Sequence, residues 1–186
     1  MKDPIRFIII TVLPNGVAQQ FDRARRLVCE AGRSRAALAY PPHVTLRTGV
    51  RVPSERVATF LEEFGETIGN LDPFPIMTEG ILLTEYQDEK ELKYLVGYRI
   101  RKEPALMSLN RRLLGYERWR TSNRLAFEPH LTLAFDDLSR EGFQSVQRWI
   151  GRAQNALPDG FEWSCDNIGL YRRQGELWTL HREWRP

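Results

Sequence analysis

Apolar residues along this chain switch between continuous, helical and alternating spacing, and the switches delimit its elements. Phe7-Ile8-Ile9-Ile10-Thr11-Val12-Leu13 is β-branched and almost wholly apolar, the pattern of a strand covered on both faces and central in its sheet. Beyond the turn signal Pro14-Asn15-Gly16, Val17, Phe21, Ala24 and Val28 recur at helical spacing. Asp22, Arg23, Arg25 and Arg26 fall on the remaining face, and the helix is expected to end near Gly32. A loop through Ser34 to Tyr40 leads to a strand at Pro42-His43-Val44-Thr45-Leu46. Pro53 and Ser54 open a second helix, with Ser54 as candidate cap and Val57, Phe60, Leu61, Phe64 and Ile68 on its apolar side. Asn70-Leu71-Asp72-Pro73 stops that helix, and residues 74–84 read as another strand.

The pattern then restarts. Tyr94 to Ile100 is a strand where an offset of 87 positions carries Phe7 to Leu13, and Leu106, Leu109 and Leu113 follow at helical spacing. Pro129-His130-Leu131-Thr132-Leu133 repeats the first motif, its histidine 87 positions after His43. Phe143, Val146 and Ile150 match Val57, Phe60 and Phe64 at an offset of 86; Asp159, Phe161, Ile168 and Leu170 match Asp72, Phe74, Ile81 and Leu83 at 87. A closing strand, Glu176 to Trp184, has no counterpart in the first half. The order strand, helix, His strand, helix, strand occurs twice. That predicts a duplicated α+β unit with a pseudo-two-fold axis, one domain over residues 1–186 with repeat halves of approximately 1–86 and 87–186.

Composition adds bounds. An apolar fraction of 42% with 27% charged residues is that of a globular chain long enough to bury a core. The net charge of +3 and a pI near 9.0 lean towards an anionic partner. Cys29 and Cys165 lie in unrelated contexts without CxxC spacing, so reduced, buried thiols in a cytoplasmic protein are expected. The apolar run ending at Leu13 is too short to span a bilayer and reads as an initial strand, not a secretory signal.

In a strand, His43 and Thr45 project to one side and the apolar residues between and after them to the other; His130 and Thr132 do the same. Set about the pseudo-two-fold, the two His strands are expected to face one another across a cleft. In-line displacement at phosphorus needs the attacking and leaving oxygens on opposite sides of the phosphorus atom. Paired imidazoles suit this, because one removes a proton while the other donates one, and an ordinary pKa near 6.5 makes both forms accessible. The Thr45 and Thr132 hydroxyls are placed to donate to non-bridging phosphoryl oxygens.

The paired His-x-Thr motifs, their separation, the duplicated halves and the Trp-containing closing strand resemble the two-histidine (2H) phosphoesterase superfamily, most of all its LigT-like 2'-5' RNA ligase and cyclic phosphodiesterase group. The resemblance covers essentially the whole chain. It implies a bilobal fold with antiparallel-rich sheets lining a central cleft and helices outside. It also implies metal-independent chemistry without a cofactor, and 2',3'-cyclic phosphates or 2'-5' linked nucleotides as substrates. His43, Thr45, His130 and Thr132 carry over as catalytic. Two departures stand out: the chain has Ala134-Phe135 where similar members often have Arg, and Arg172-Arg173 where they often have Ser. The expected protein is therefore a monomer acting on RNA ends or small cyclic nucleotides. Hydrolysis of another cyclic or 2'-5' linked nucleotide, and a non-catalytic RNA-binding module, stand as alternatives.

Substrate-binding candidates surround the motifs. Arg47, four positions after His43, shares its face if the strand stays regular, and suits phosphate or ribose; a solvated arginine is the alternative. Tyr40 and Phe127 each precede a motif histidine by three residues, as base platforms or as plugs packing the start of the strand. Tyr171 turns away from the core with Gly169, which leaves room beside a phenol for a ligand. His181 lacks a following Thr and is expected to pair with an acid on a strand surface; a zinc site joining all three histidines is the minor reading. Of the Arg25-Arg26, Arg111-Arg112 and Arg172-Arg173 pairs, only the last is expected near the cleft.

Overall fold

The computed structural model describes residues 3–69, 71–88, 91–114, 127–153, 156–175 and 177–185. In chain order the elements are β1 (Ile5–Val12), α1 (Asn15–Gly32), β2 (His43–Val52), α2 (Val57–Ile68), β3 (Phe74–Asp88), β4 (Glu91–Ile100), α3 (Pro104–Leu114), β5 (His130–Ala134), α4 (Arg140–Arg152), β6 (Glu162–Cys165), β7 (Ile168–Gln174) and β8 (Leu177–Trp184). The eight strands form one sheet in the order β6-β3-β4-β5-β2-β1-β7-β8, antiparallel at every pairing and curled into a half-barrel. The start of the expected closing strand, Glu176, lies outside the described residues.

The two His strands do not face one another across a gap. They are neighbours at the centre of the sheet, registered through Val44 opposite Leu131. Flanking strands are exchanged about that centre. β3, from the first half of the sequence, pairs with β4 from the second, while β7, from the second half, pairs with β1 from the first. Helices follow the same exchange: α1 reaches under β4 and β5, with Phe21 5.7 Å from the Phe161 ring and 6.4 Å from that of Tyr98, and Cys29 against Leu133. α2 and α3 lie under β1 and β2, where Phe60 stacks on Phe7 at 5.7 Å and Asn110 reaches Leu46. Each side of the sheet is thus built from both halves of the sequence, so neither half can bury its own apolar face alone.

Alternation along β1 shows which face is which. Phe7 and Ile9 join the core with Phe21, Phe60, Phe64 and Tyr98, whereas Ile8, Ile10 and Val12 point to the face without helices. Truncating one such buried aromatic to alanine costs about 3–5 kcal/mol, so this layer carries much of the stability. Both cysteines are buried and free. No described helix is long and apolar enough to cross a membrane.

Three local expectations change. Residues 54–56 form a 3-10 turn before α2, and Ser54 bonds Glu55 instead of capping the helix. Arg25 is buried at 6% exposure, not solvated, because it lies four residues after Phe21 and three before Val28 on the inward stripe of α1. His181 packs its ring 5.4 Å from that of Phe7, and its charged neighbours are Arg172 and Arg182 instead of the expected acid.

Candidate active site

The two His-x-Thr motifs are held by matching bonds. Pro42 and Pro129 have no N–H to give the ladder, but their carbonyls accept from Leu13 N at 3.1 Å and Ile100 N at 3.0 Å. The carbonyls of Leu46 and Leu133, at the other end of each motif, accept from buried side chains of the crossed-over helices: Asn110 Nδ2 at 3.0 Å and Cys29 Sγ at 3.3 Å. Between these anchors, His43 Nδ1 lies 2.8 Å from the Pro41 carbonyl and His130 Nδ1 lies 2.8 Å from the Glu128 carbonyl. A carbonyl only accepts, so each Nδ1 carries its proton and each Nε2 is left as the ring's chemically available nitrogen.

Val44 and Leu131 are fully buried, so the histidines and threonines on either side of them share the helix-free face. The Val44–Leu131 register sets His43 across from Thr132 and Thr45 across from His130. Side chains directly opposite in an antiparallel pair have Cβ atoms about 4.5–5.5 Å apart and diagonal ones about 7–8 Å, which puts both imidazoles within reach of one phosphoryl group. Burial holds the His43 imidazole below its ordinary 6.5, and the nearby charges of His130 and Arg25 act in the same direction, against the hydrogen bond to Pro41.

The chain leading into His43 is clamped from both sides. Arg25 Nη1 donates to the carbonyls of Ala37 (2.9 Å) and Tyr40 (2.8 Å). The Asp137 carboxylate accepts from Ser34 Oγ (2.5 Å), Arg35 N (2.7 Å) and Ala36 N (3.1 Å), closing the start of the 3-10 turn at 36–39. Burial opposes ionisation of Asp137, but those donors outweigh it and hold the carboxyl below the usual range. Gly97 faces Thr132, where a Cβ would lie 2.6 Å from the Leu131 carbonyl oxygen; β4 approaches β5 this closely only without a side chain.

A family model, the 2'-5' RNA ligase superfamily, matches residues 13–177. The chain belongs to that superfamily. It is a phosphoesterase-type member of the 2H group in fold and family. A Bacillus cytotoxicus protein named "Putative phosphoesterase" is 25% identical over 170 residues, covering 90% of this chain and 84% of its own. Among solved structures, E. coli LigT complexed with ATP matches 99% of this chain and 98% of its own at a TM-score of 0.63 and 21% identity. A Thermus thermophilus protein, TT0787, matches 97% of each chain at 0.61 and 17% identity. Those two likenesses concern the fold.

Around the paired His-x-Thr motifs, the binding candidates separate. Arg47 is buried, not solvated. The β1–β2 register slips after Thr45, and Arg47 lies opposite the core residue Ile9 at 8% exposure. Phe127 packs against the core, and Tyr40 lies 6.2 Å from the Phe135 ring; both fit the plug reading. Tyr171 does lie on the helix-free face. A Cβ on Gly169 would lie 2.7 Å from Tyr171 Cε2, so the phenol ring folds over Gly169, which is opposite Ile10, itself opposite Thr45. His181 sits against Phe7 on the other face, away from the motif histidines, and no described group of three or more His, Cys, Asp or Glu is clustered as a metal site. Sequence reading missed Arg99, which lies opposite His130 and is exposed beside it, and the inward-facing Arg25 and Asn110. Helical spacing had the signal for the last two: Arg25 falls on the Phe21/Val28 stripe and Asn110 on the Leu106/Leu113 stripe.

Proposed function

We propose that this protein is a metal-independent phosphodiesterase that opens 2',3'-cyclic phosphates at RNA ends or on small nucleotides with water, and that joins a 5'-hydroxyl, taken in place of water, in a reversible 2'-5' ligation. The observation that carries the reading is the matched pinning of both imidazoles through Nδ1 to the carbonyl two residues back. Two equivalent Nε2 atoms on neighbouring strands are the requirement of a reaction whose acid and base exchange roles between its two directions.

In hydrolysis, neutral His43 takes a proton from water as the water oxygen bonds to phosphorus. Its depressed pKa favours the neutral form at pH 7, which supports the base role for it. The bond from phosphorus to one ribose oxygen breaks in line, and His130, protonated on both nitrogens, delivers its Nε2 proton to that oxygen. A phosphate monoester results, and the proton balance is restored by exchange with solvent. Thr45 and Thr132 donate to the non-bridging oxygens, and Arg99 adds a positive charge beside His130. Tyr171 lies where it can face the nucleoside. E. coli LigT has been seen complexed with 3'-AMP, which fits a nucleotide-binding cleft in this fold.

The test is turnover of cytidine 2',3'-cyclic phosphate in EDTA. The wild type is expected to form the monoester. His43→Ala and His130→Ala are each expected to lower kcat by at least about a hundredfold while leaving the melting transition in place. Loss of turnover on chelation, restored by a divalent ion, would reject the metal-independent mechanism. RNA binding unaltered in both variants, with no turnover in the wild type, would support the binding-module alternative.

A further inference from the structure

At the far end of the helix-free face lies a row of arginines that the reaction does not use. Along β1, Arg6 follows Ile10 and Ile8 on that face. Arg6 lies directly opposite Arg51 of β2, and Arg173 stands one step beyond the Phe7–Arg172 pair of β1 and β7, beside Arg6. All three are exposed, and none forms an ion pair among the described residues. Like charges placed directly opposite across a strand pair destabilise it, and three abreast with no acid between them is an arrangement that an anion would relieve.

The strip borders a depression of about 400 Å³ lined by Arg6, Arg172, Arg173 and Asp3 among others. Arg172 comes to it from the opposite side of β7, and its Nε is buried without a hydrogen-bond partner among the described residues. Asp3 is the one carboxylate of the lining, exposed and without an ion pair among the described residues. Four residue steps along the strand separate Arg6 from Ile10, the residue opposite Thr45, a run of about 13 Å. Tyr171 occupies the interval, opposite Ile8.

We propose that Arg6, Arg51, Arg172 and Arg173 form a phosphate-binding subsite for the RNA backbone on the 5' side of the cyclic end, with Tyr171 stacking on an intervening base. This rests on the proposed phosphodiesterase reading. It makes the preferred substrate a single strand of several nucleotides rather than a mononucleotide. Guanidinium–phosphate contacts supply affinity without sequence preference and release counterions, so binding at this end weakens as salt rises.

The experiment compares wild type with an Arg6→Ala, Arg51→Ala, Arg173→Ala combination. One arm measures kcat/KM on cytidine 2',3'-cyclic phosphate and on oligoribonucleotides of two to eight residues carrying the same end. The other measures binding of the oligonucleotides by fluorescence anisotropy in EDTA at low and high salt, which needs no turnover. In the wild type, affinity and kcat/KM rise by about tenfold or more with length. The combined variant loses that rise, keeps its mononucleotide activity and melting temperature, and shows a shallower salt dependence. Affinity that is independent of length in the wild type, or a length effect that survives the three substitutions, overturns the subsite. If neither protein turns over any cyclic phosphate, the phosphodiesterase reading fails, and the binding arm still decides whether these arginines hold RNA.

Discussion

Adding one methyl group at Gly97 should uncouple the second His motif from the first. A Cβ there would lie 2.6 Å from Leu131 O, 3.3 Å from Leu131 C and 3.5 Å from Thr132 Cα. All three are backbone atoms, so no side chain can swing aside. Carbon–oxygen contacts between strands settle at about 3.3–3.6 Å, which leaves a deficit of about 0.7 Å for the β4–β5 pair to absorb. Overpacking of this kind costs about 1–3 kcal/mol. For a chain of this size that lowers Tm by about 2–12 °C. The catalytic effect is expected to be larger than the fold requires. Misplacing a reacting group by about 1 Å costs on the order of a hundredfold, so Gly97→Ala should lose about ten- to a hundredfold in kcat on cytidine 2',3'-cyclic phosphate at a temperature where it is fully folded. Both quantities are read from one preparation, by a melting curve and a steady-state assay. A lowered Tm with wild-type kcat would refute the reasoning, because β4 would then have yielded without carrying Thr132 and His130 with it.

Further expectations follow from the same geometry. The acid limb of kcat/KM against pH should fall below 6.5, since burial depresses the His43 pKa and the base must be neutral; a limb above 6.5 would contradict the assignment of His43 as base. Protonating His43 also opposes folding. Its contribution is therefore complete above about pH 6.5 and is lost as the pH falls from there towards the folded-state value, a change that His43→Gln should remove from the stability profile. Asp137→Ala should cost about 1–3 kcal/mol by unpairing Ser34, Arg35 and Ala36, and should lower kcat through the loosened approach to His43. In the wild type the Asp137 contribution is present above its unfolded value of about 3.9 and fades as pH falls through the lower folded value, measurable as a difference between the two acid-unfolding curves. Arg99→Ala should raise KM or lower kcat without changing Tm, whereas an unchanged kcat/KM would remove Arg99 from the site.

The matched anchors explain why a duplicated unit suits this site. The proposed reaction, with two equivalent imidazoles on one phosphorus, requires equal backbone support, and here Pro42 pairs with Leu13 as Pro129 pairs with Ile100. The match is incomplete where chemistry would gain from a difference. Val12 lies opposite His43 whereas the cation Arg99 lies opposite His130, and the helix side chains that reach Leu46 and Leu133 are an amide and a thiol.

Sequence alone determined the element order as far as α4, the doubled motif and the face shared by each His with its Thr, because these depend on periods of two and 3.6 residues that operate within a few neighbours; the single strand expected across Phe161 to Leu170 is two, β6 and β7, which lie towards opposite ends of the sheet. It also held the inward position of Arg25, in the four-residue step from Phe21, although the charge of the side chain argued for solvent. Tertiary structure decided who pairs with whom. β3 and β4 are consecutive antiparallel strands, a local pairing, but nothing local in β7 states that it will bond to β1 or in β5 that it will bond to β2; those pairings follow from burying both apolar faces of one continuous sheet. The same long-range pairing placed His43 and His130 side by side instead of across a gap. It also shifted the register at Arg47 and lined up Arg6, Arg51 and Arg173, residues far apart in the chain whose proximity is a matter of register between strands.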